Sequence, residues 1–317
     1  MKRLAIFTVV LTLIVFTFPA TQAASVSDIQ FFPRDYVWNV PIDTMPVHPM
    51  SDTYIAQSYP NSYMYIVGGF PINIVDSNTP KQFLTSMNFG EDLAYPIPRN
   101  AKIYQGYGES GMVIVDQDSN YLYEFYCPVK AADGSWSARG AFGFDLSDYS
   151  LKPENRVTTS ISGTPQAQSY IKYEEVASGS INHATNLFLY TSGKSHIWPA
   201  RMDGLQNSAS YPPLGQRFRL KASFDTSGYS PHAKTILNAW KKYGLILTDN
   251  SGSKEAWQVT ADGDPRWDTE GSDINYATFG NLHGSDFEAV DESSLMINKD
   301  SGQARTTPSV IPTPTSA

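Results

Sequence analysis

The strongest constraint on this chain is its rhythm. From about residue 62 onward, short apolar-alternating runs are separated by clusters of Gly, Asp, Asn and Ser, the pattern of strands joined by tight turns. "SYMYIVGG" (62–69) and "INIV" (72–75) come first, then "YPIPRNAKIYQG" (95–106). In "GMVIVDQDSNYLYEFYCPV" (111–129) two such runs flank "DQDSN", predicting a β-hairpin. "AADGSWSA" carries an Asp133-Gly134 turn and is followed by "AFGFDL" (141–146). Further strands are predicted at "SYIKYEEVA" (169–177), "NLFLYT" (186–191), "HIWPA" (196–200), "RFRLKASFD" (217–225), "LILTD" (245–249) and "AWQVT" (256–260).

One segment has a helical period instead. In "SPHAKTILNAWKKYG", Ser230 is an N-cap, Pro231 suits the first turn, and Ala233, Ile236, Leu237 and Trp240 form an apolar stripe. Lys241 and Lys242 complement the dipole in the last turn, and Gly244 stands where a left-handed C-cap belongs. Many short strands and one well-capped helix (about 230–243) predict a mainly β chain, a β-sandwich or jelly-roll-like single domain.

The ends read differently. Lys2 and Arg3 precede the 15-residue apolar run Leu4 to Phe18, and small residues follow. That is the layout of a secretory signal, too short for a membrane span of about 20 residues. Residues 1–23 are therefore expected to be a signal peptide, 24–61 an irregular N-terminal arm anchored by Tyr36 and Trp38, and 62–300 the β-rich domain. The Ser/Thr/Pro run 301–317 reads as a flexible tail. The expected location is extracellular or cell-surface associated, with no membrane insertion of the mature chain. Cys127, the single cysteine, allows no intramolecular disulfide and sits in an aromatic run that favours a small buried thiol.

The formal charge is −8, and loss of Lys2 and Arg3 with the signal leaves −10. Nucleic acids and anionic membranes need a basic footprint, so neither is an expected partner. The chain has no GxxxxGK[ST], no GxGxxG after a strand, no HExxH and no GxSxG elbow. "DQDSN" opens like a calcium loop, but Tyr121 takes the glycine position and Cys127 the final glutamate position. No metal and no cofactor are expected; a structural calcium ion at that turn is the one alternative.

Carboxylates and aromatic rings remain. A sugar offers an apolar C–H face for Trp or Tyr and a hydroxyl rim for Asp, Glu, Arg and Asn. Hydrolysis of a glycosidic bond needs two carboxyl groups, and the candidates are Glu124, Asp145, Glu174, Glu175, Asp225, Asp249 and Asp264. His183, in the polar approach "SGSINHATN", is a candidate proton shuttle. "RFRLKASFD" would place Arg217, Arg219, Lys221 and Asp225 on one strand face, a basic row able to floor a site for an acidic ligand.

"YPIP", "YLYEFY", "DGSWSA", "FDLSDYSLKP", "INHATN", "HIWPAR", "PPLGQRFRLKASFD", "YSPHAKTILNAWKKYGLILTDN", "DPRW" and "GSDFE" together resemble a family of secreted, largely uncharacterised microbial proteins. The resemblance spans roughly residues 31–291 and implies one domain carrying its own signal. It implies no activity. Where relatives carry "HAL", this chain has "HATN" at His183 to Asn186.

The functional expectation is a secreted carbohydrate-active protein, a polysaccharide-degrading hydrolase or lyase. Glu175 and Asp225 would form the carboxylate pair, with His183 tuning protonation. Trp198, Arg201, Arg217, Arg219, Lys221, Trp257, Asp264 and Trp267 would line the cleft. The alternative is a non-catalytic protein that binds a polysaccharide or cell-envelope glycan.

Overall fold

The computed structural model describes residues 25–106, 109–269, 274 and 279–306. The expected signal segment (1–23) and residues 307–317 of the expected tail lie outside the described residues.

The chain is mainly β, built on two sheets. The first contains β1 (Tyr63–Gly68), β9 (Thr185–Leu189), β10 (Arg217–Leu220), β11 (Leu245–Asn250), β12 (Ala256–Ala261) and β13 (Phe287–Ala289), in the order β1-β12-β9-β11-β10-β13. The second contains β2 (Ile72–Val75), β3 (Met87–Gly90), β4 (Tyr104–Gly106), β5 (Glu109–Asp116), β6 (Tyr121–Tyr126), β7 (Val129–Lys130) and β8 (Trp136–Asp145). Its main path runs β2-β5-β6-β8-β3, with β4 on β5 and β7 on β8. The helices are α1 (Ser51–Gln57), α2 (Tyr173–Ser178), α3 (Pro231–Lys242) and α4 (Arg266–Thr269).

Alternation sorts each strand's residues between two cores. On the first sheet Met64, Leu187, Leu189, Trp257 and Val259 pack with Ile236, Leu237 and Trp240 of α3. The opposite side contributes Ile246 to an inter-sheet core with Val113, Val115, Leu122, Phe142 and Phe144 of the second sheet. The outer face of the second sheet, Met112, Ile114 and Phe125, is covered by Tyr95, Ile97 and neighbouring loops. The α3 caps form as the sequence predicts: the Ser230 hydroxyl accepts from the Ala233 N–H, and Gly244 adopts φ +72°.

Four segments depart from the sequence prediction, and of "YPIPRNAKIYQG" only Tyr104–Gly106 is a strand. "KYEEV" is helical, because two acids occupy the first turn of α2 and Gly179, at φ +83°, ends it. "HIWPA" is irregular, with one β-bridge, from His196 to Leu214. The strand read over 217–225 stops at Leu220, where pairing with β13 ends and Phe224 N–H closes a turn on the Lys221 carbonyl. The N-terminal arm is less irregular than expected, since it contains α1, while Tyr36 and Trp38 are buried as anchors. Ser301, Gln303 and Ala304 bridge to Ser150, Tyr36 and Met296, so pairing runs on past residue 300.

The basic row is therefore not a floor. Arg217 is fully buried and donates to the carbonyls of Val37, Val40 and Tyr243 at 2.7–2.9 Å. Glu292 lies 3.6 Å from its Nη1; burial lowers the guanidinium and raises the carboxyl, and each partly restores the other's charge. Arg219 pairs with Glu288 at 2.7 Å and donates to the carbonyls of Ile42, Asp43 and Met45. Lys221 is exposed and bonds the Ser285 carbonyl.

Arg217→Ala strands three buried carbonyls and one buried carboxyl, and is expected to cost about 3–5 kcal/mol in urea unfolding. Lys221→Gln, at the exposed end of the same run, is expected to stay within about 0.5 kcal/mol of the parent.

Candidate functional site: a cleft between the sheets

Beyond the inter-sheet core the two sheets part, leaving a cavity of about 590 Å³. Its construction begins with two glycines. Gly111 of β5 and Gly140 of β8 both pair with Tyr126 of β6, one from each side. A Cβ on Gly111 would stand 2.2 Å from the Phe70 ring, and one on Gly140 would stand 2.5 Å from the Phe89 ring. Each ring thus lies on a strand position with no side chain, the arrangement in which an aromatic covers a sheet glycine. The result is a row of three rings, Phe70, Tyr126 and Phe89, with Tyr104 beside Phe70 at 6.1 Å.

Across the gap, Phe188, Gln258 and Thr260 of the first sheet face this row. A wall is added by the segment 157–170, which supplies Thr159, Ser160 and Tyr170. That wall is tied down by Glu124, which points inward from β6 and is almost fully buried. Its carboxylate accepts from the Thr159 hydroxyl and from the backbone N–H groups of Gln166 and Ala167. Burial raises the Glu124 carboxyl despite these bonds. Asp249 lines the rim; its oxygens accept from the Asn250 N–H at 2.7 Å and the Ile161 N–H at 3.3 Å.

Of the candidate carboxylates read from sequence, Asp249 lines this cleft; the eleven residues of the expected site do not. Glu175 and His183 do meet, away from it. His183 Nδ1–H donates to the Ala184 carbonyl, leaving Nε2 3.0 Å from Glu175 Oε2 and 3.2 Å from Lys172 Nζ. A neutral imidazole there accepts from Lys172, whereas an imidazolium donates to Glu175. Lys172 is buried under the Phe31 ring at 4.8 Å. Burial acts to raise the Glu175 carboxyl, but Lys172 and His183 outweigh it and hold the group at about 2.

Asp225 is elsewhere, an exposed turn residue that accepts from the N–H and hydroxyl of Ser227. It and Glu175 are engaged with separate partners, so they do not form the expected carboxylate pair. Trp257 is a core residue whose Nε1–H donates to the Ser58 carbonyl. Trp198 is half-buried and donates to the Ser301 carbonyl, while Arg201 is buried between Glu154 and Asp300. Both pin the C-terminal segment. Asp264 is taken up by Arg266 at 2.6 Å, and Arg266 also reaches Glu174 and lies over the Tyr173 ring. Trp267 packs edge-on against Tyr173 and donates to Asp262, whose carboxyl burial raises to about 6.

Among the described residues, no group of three or more His, Cys, Asp or Glu is arranged to hold a metal ion. None of their helices is long and apolar enough to cross a membrane. Comparison with protein-family models, with curated proteins and with solved structures finds no match to this chain.

Glu124→Ala would leave two buried amides without an acceptor and is expected to cost about 2–3 kcal/mol in chemical unfolding. Glu124→Gln keeps an acceptor and should cost less. Two further carboxyls have opposite pH signatures. Glu175 is depressed, so its stabilisation is complete above its unfolded value near 4.5 and is lost as pH falls toward 2. Asp262 is raised, so the native state favours its protonated form and stability declines as pH rises from about 4 through 6. Unfolding free energies measured from pH 2 to 8 should show Glu175→Gln flattening the acid limb. In the same series, Asp262→Asn should remove a decline of up to about 3 kcal/mol.

Proposed function

We propose that this is a secreted carbohydrate-active protein that binds a neutral glycan chain in the cleft between its sheets. The observation that carries the reading is the glycine-seated row of Phe70, Tyr126 and Phe89. Rings held side by side suit the apolar C–H faces of sugars, and Gln258, Asn250, Ser160 and Thr159 at the margins suit their hydroxyls. The cleft lining contains no Lys or Arg among the described residues, which favours neutral sugars over uronates.

Binding is better supported than cleavage at this cleft. A glycosidase pair consists of two carboxyls about 5–9.5 Å apart. Here Asp249 is the one carboxylate lining the cleft among the described residues, and Glu124 behind the wall has both oxygens engaged. A hydrolytic reading attaches instead to Glu175 and His183, favoured by their 3.0 Å contact and by the 22% side-chain exposure that Glu175 retains.

The mature protein, titrated calorimetrically with cello-, xylo- and manno-oligosaccharides and with polygalacturonate, is expected to bind a neutral ligand. Tyr104→Ala and Tyr126→Ala should each weaken that binding about fivefold to tenfold, the worth of one stacked ring. Binding of polygalacturonate alone, or neutral binding indifferent to both substitutions, would overturn the reading. Release of reducing ends that disappears in His183→Asn would establish the hydrolytic one.

A further inference from the structure

The cleft is continuous with an exposed face of the first sheet. Parallel pairing sets Tyr65 of β1 opposite Gln258 of β12, and antiparallel pairing sets Gln258 opposite Phe188 of β9. The three therefore share one row and one face, and two of them line the cleft. One row further along, Tyr63 lies opposite Ala256. Tyr190 follows β9, two positions beyond Phe188, and its ring lies under the same Lys254 ammonium as that of Tyr59. The Tyr63 and Tyr65 rings are 6.4 Å apart, and Tyr190 meets Tyr59 edge-on at 5.7 Å. Tyr59, Tyr63 and Tyr190 are each more than a third exposed, although all are large aromatic residues. A second cavity of about 470 Å³ lies at this end, bordered by Tyr59, Asn61, Tyr63 and Lys254.

We infer that the glycan chain bound in the cleft runs out of it along this tyrosine-bearing face, so that the ligand is an extended polysaccharide rather than a short oligosaccharide. The inference rests on the cleft being a glycan site. Rows two residues apart along a strand are separated by about 6.6 Å, a distance of the order of one pyranose unit in an extended β-linked chain. A polymer crossing from the Phe188 row to the Tyr63 row therefore meets fresh aromatic surface at each sugar. The ammonium of Lys254 is held over the rings of Tyr190 and Tyr59 at 4.9 and 5.9 Å, and Glu255 adjoins it. The occupant is thus a continuation of the cleft's own ligand, in the same chemical class.

The test uses the mature protein and a ladder of cello-, xylo- and manno-oligosaccharides from two to six sugars, measured by calorimetry. Affinity should rise about tenfold or more between the disaccharide and the hexasaccharide, as two added ring contacts would give. Tyr63→Ser and Tyr190→Ser should each cut that length advantage to about threefold or less. Melting curves of the variants check that both remain folded, and Tyr63→Phe, which keeps the ring, should retain the advantage. If hexasaccharide and disaccharide bind equally, or if both serine variants keep the full advantage, the extended path is wrong while the cleft reading stands. If no member of the ladder binds, both are wrong.

Discussion

The buried guanidinium of Arg217 is the interaction on which the architecture turns. It starts β10, yet its side chain is spent on three carbonyls from outside the sheet: Val37 and Val40 of the arm, and Tyr243 at the end of α3. A planar group with five donors in fixed directions can serve acceptors spread over a wide arc, where a lysine offers three donors from a single point. Its position fixes where the arm crosses the sheet and where α3 must end. Arg219, two residues on, repeats the device at the margin with Ile42, Asp43 and Met45. A basic row on an acidic chain is thus an internal fastening, with carbonyl oxygens as its main partners.

With the arm and α3 fastened, the inner faces of the two sheets converge over Ile246, Val113, Leu122 and Phe142. They part where Gly111 and Gly140 replace bulky residues and aromatic rings settle on the bare backbone. Glu124 then fixes the third wall by satisfying two amides of the 157–170 segment. Removal of side-chain volume and burial of a charge, both unfavourable in isolation, combine here to hold a cavity open.

Much of the fold could be read from the sequence because its signals are local. The hairpin around "DQDSN", the caps of α3 and strands β1, β2, β9, β11 and β12 each carry their period within a few residues. "KYEEV" misled because a five-residue run fits either period, and the deciding feature, Gly179 in a left-handed turn, lies beyond it. The Glu175–His183 contact was within reach, since eight residues separate them across one helix end. The cleft was not. Its row of Phe70, Phe89 and Tyr126 is brought together by the register between strands, and Phe188 faces it from the other sheet. The local hints were Asp249, a candidate carboxylate that lines the rim, and Gly111 and Gly140 at the edges of strand-like runs, where a glycine marks close approach.

The arm has a consequence for the order in which the molecule can be completed. Val37 N–H bonds the Gly302 carbonyl, Ala304 N–H bonds the Asp35 carbonyl, and Tyr36 bridges to Gln303. The earliest described segment is therefore clasped by the latest. A chain that emerges from its N-terminus cannot close this clasp until residue 304 has arrived. Contacts this far apart in sequence are slow to form, so the arm and the sheet edge it covers stay open while the rest is being delivered. Such a fastening works as a latch that shuts only once residue 304 has been delivered.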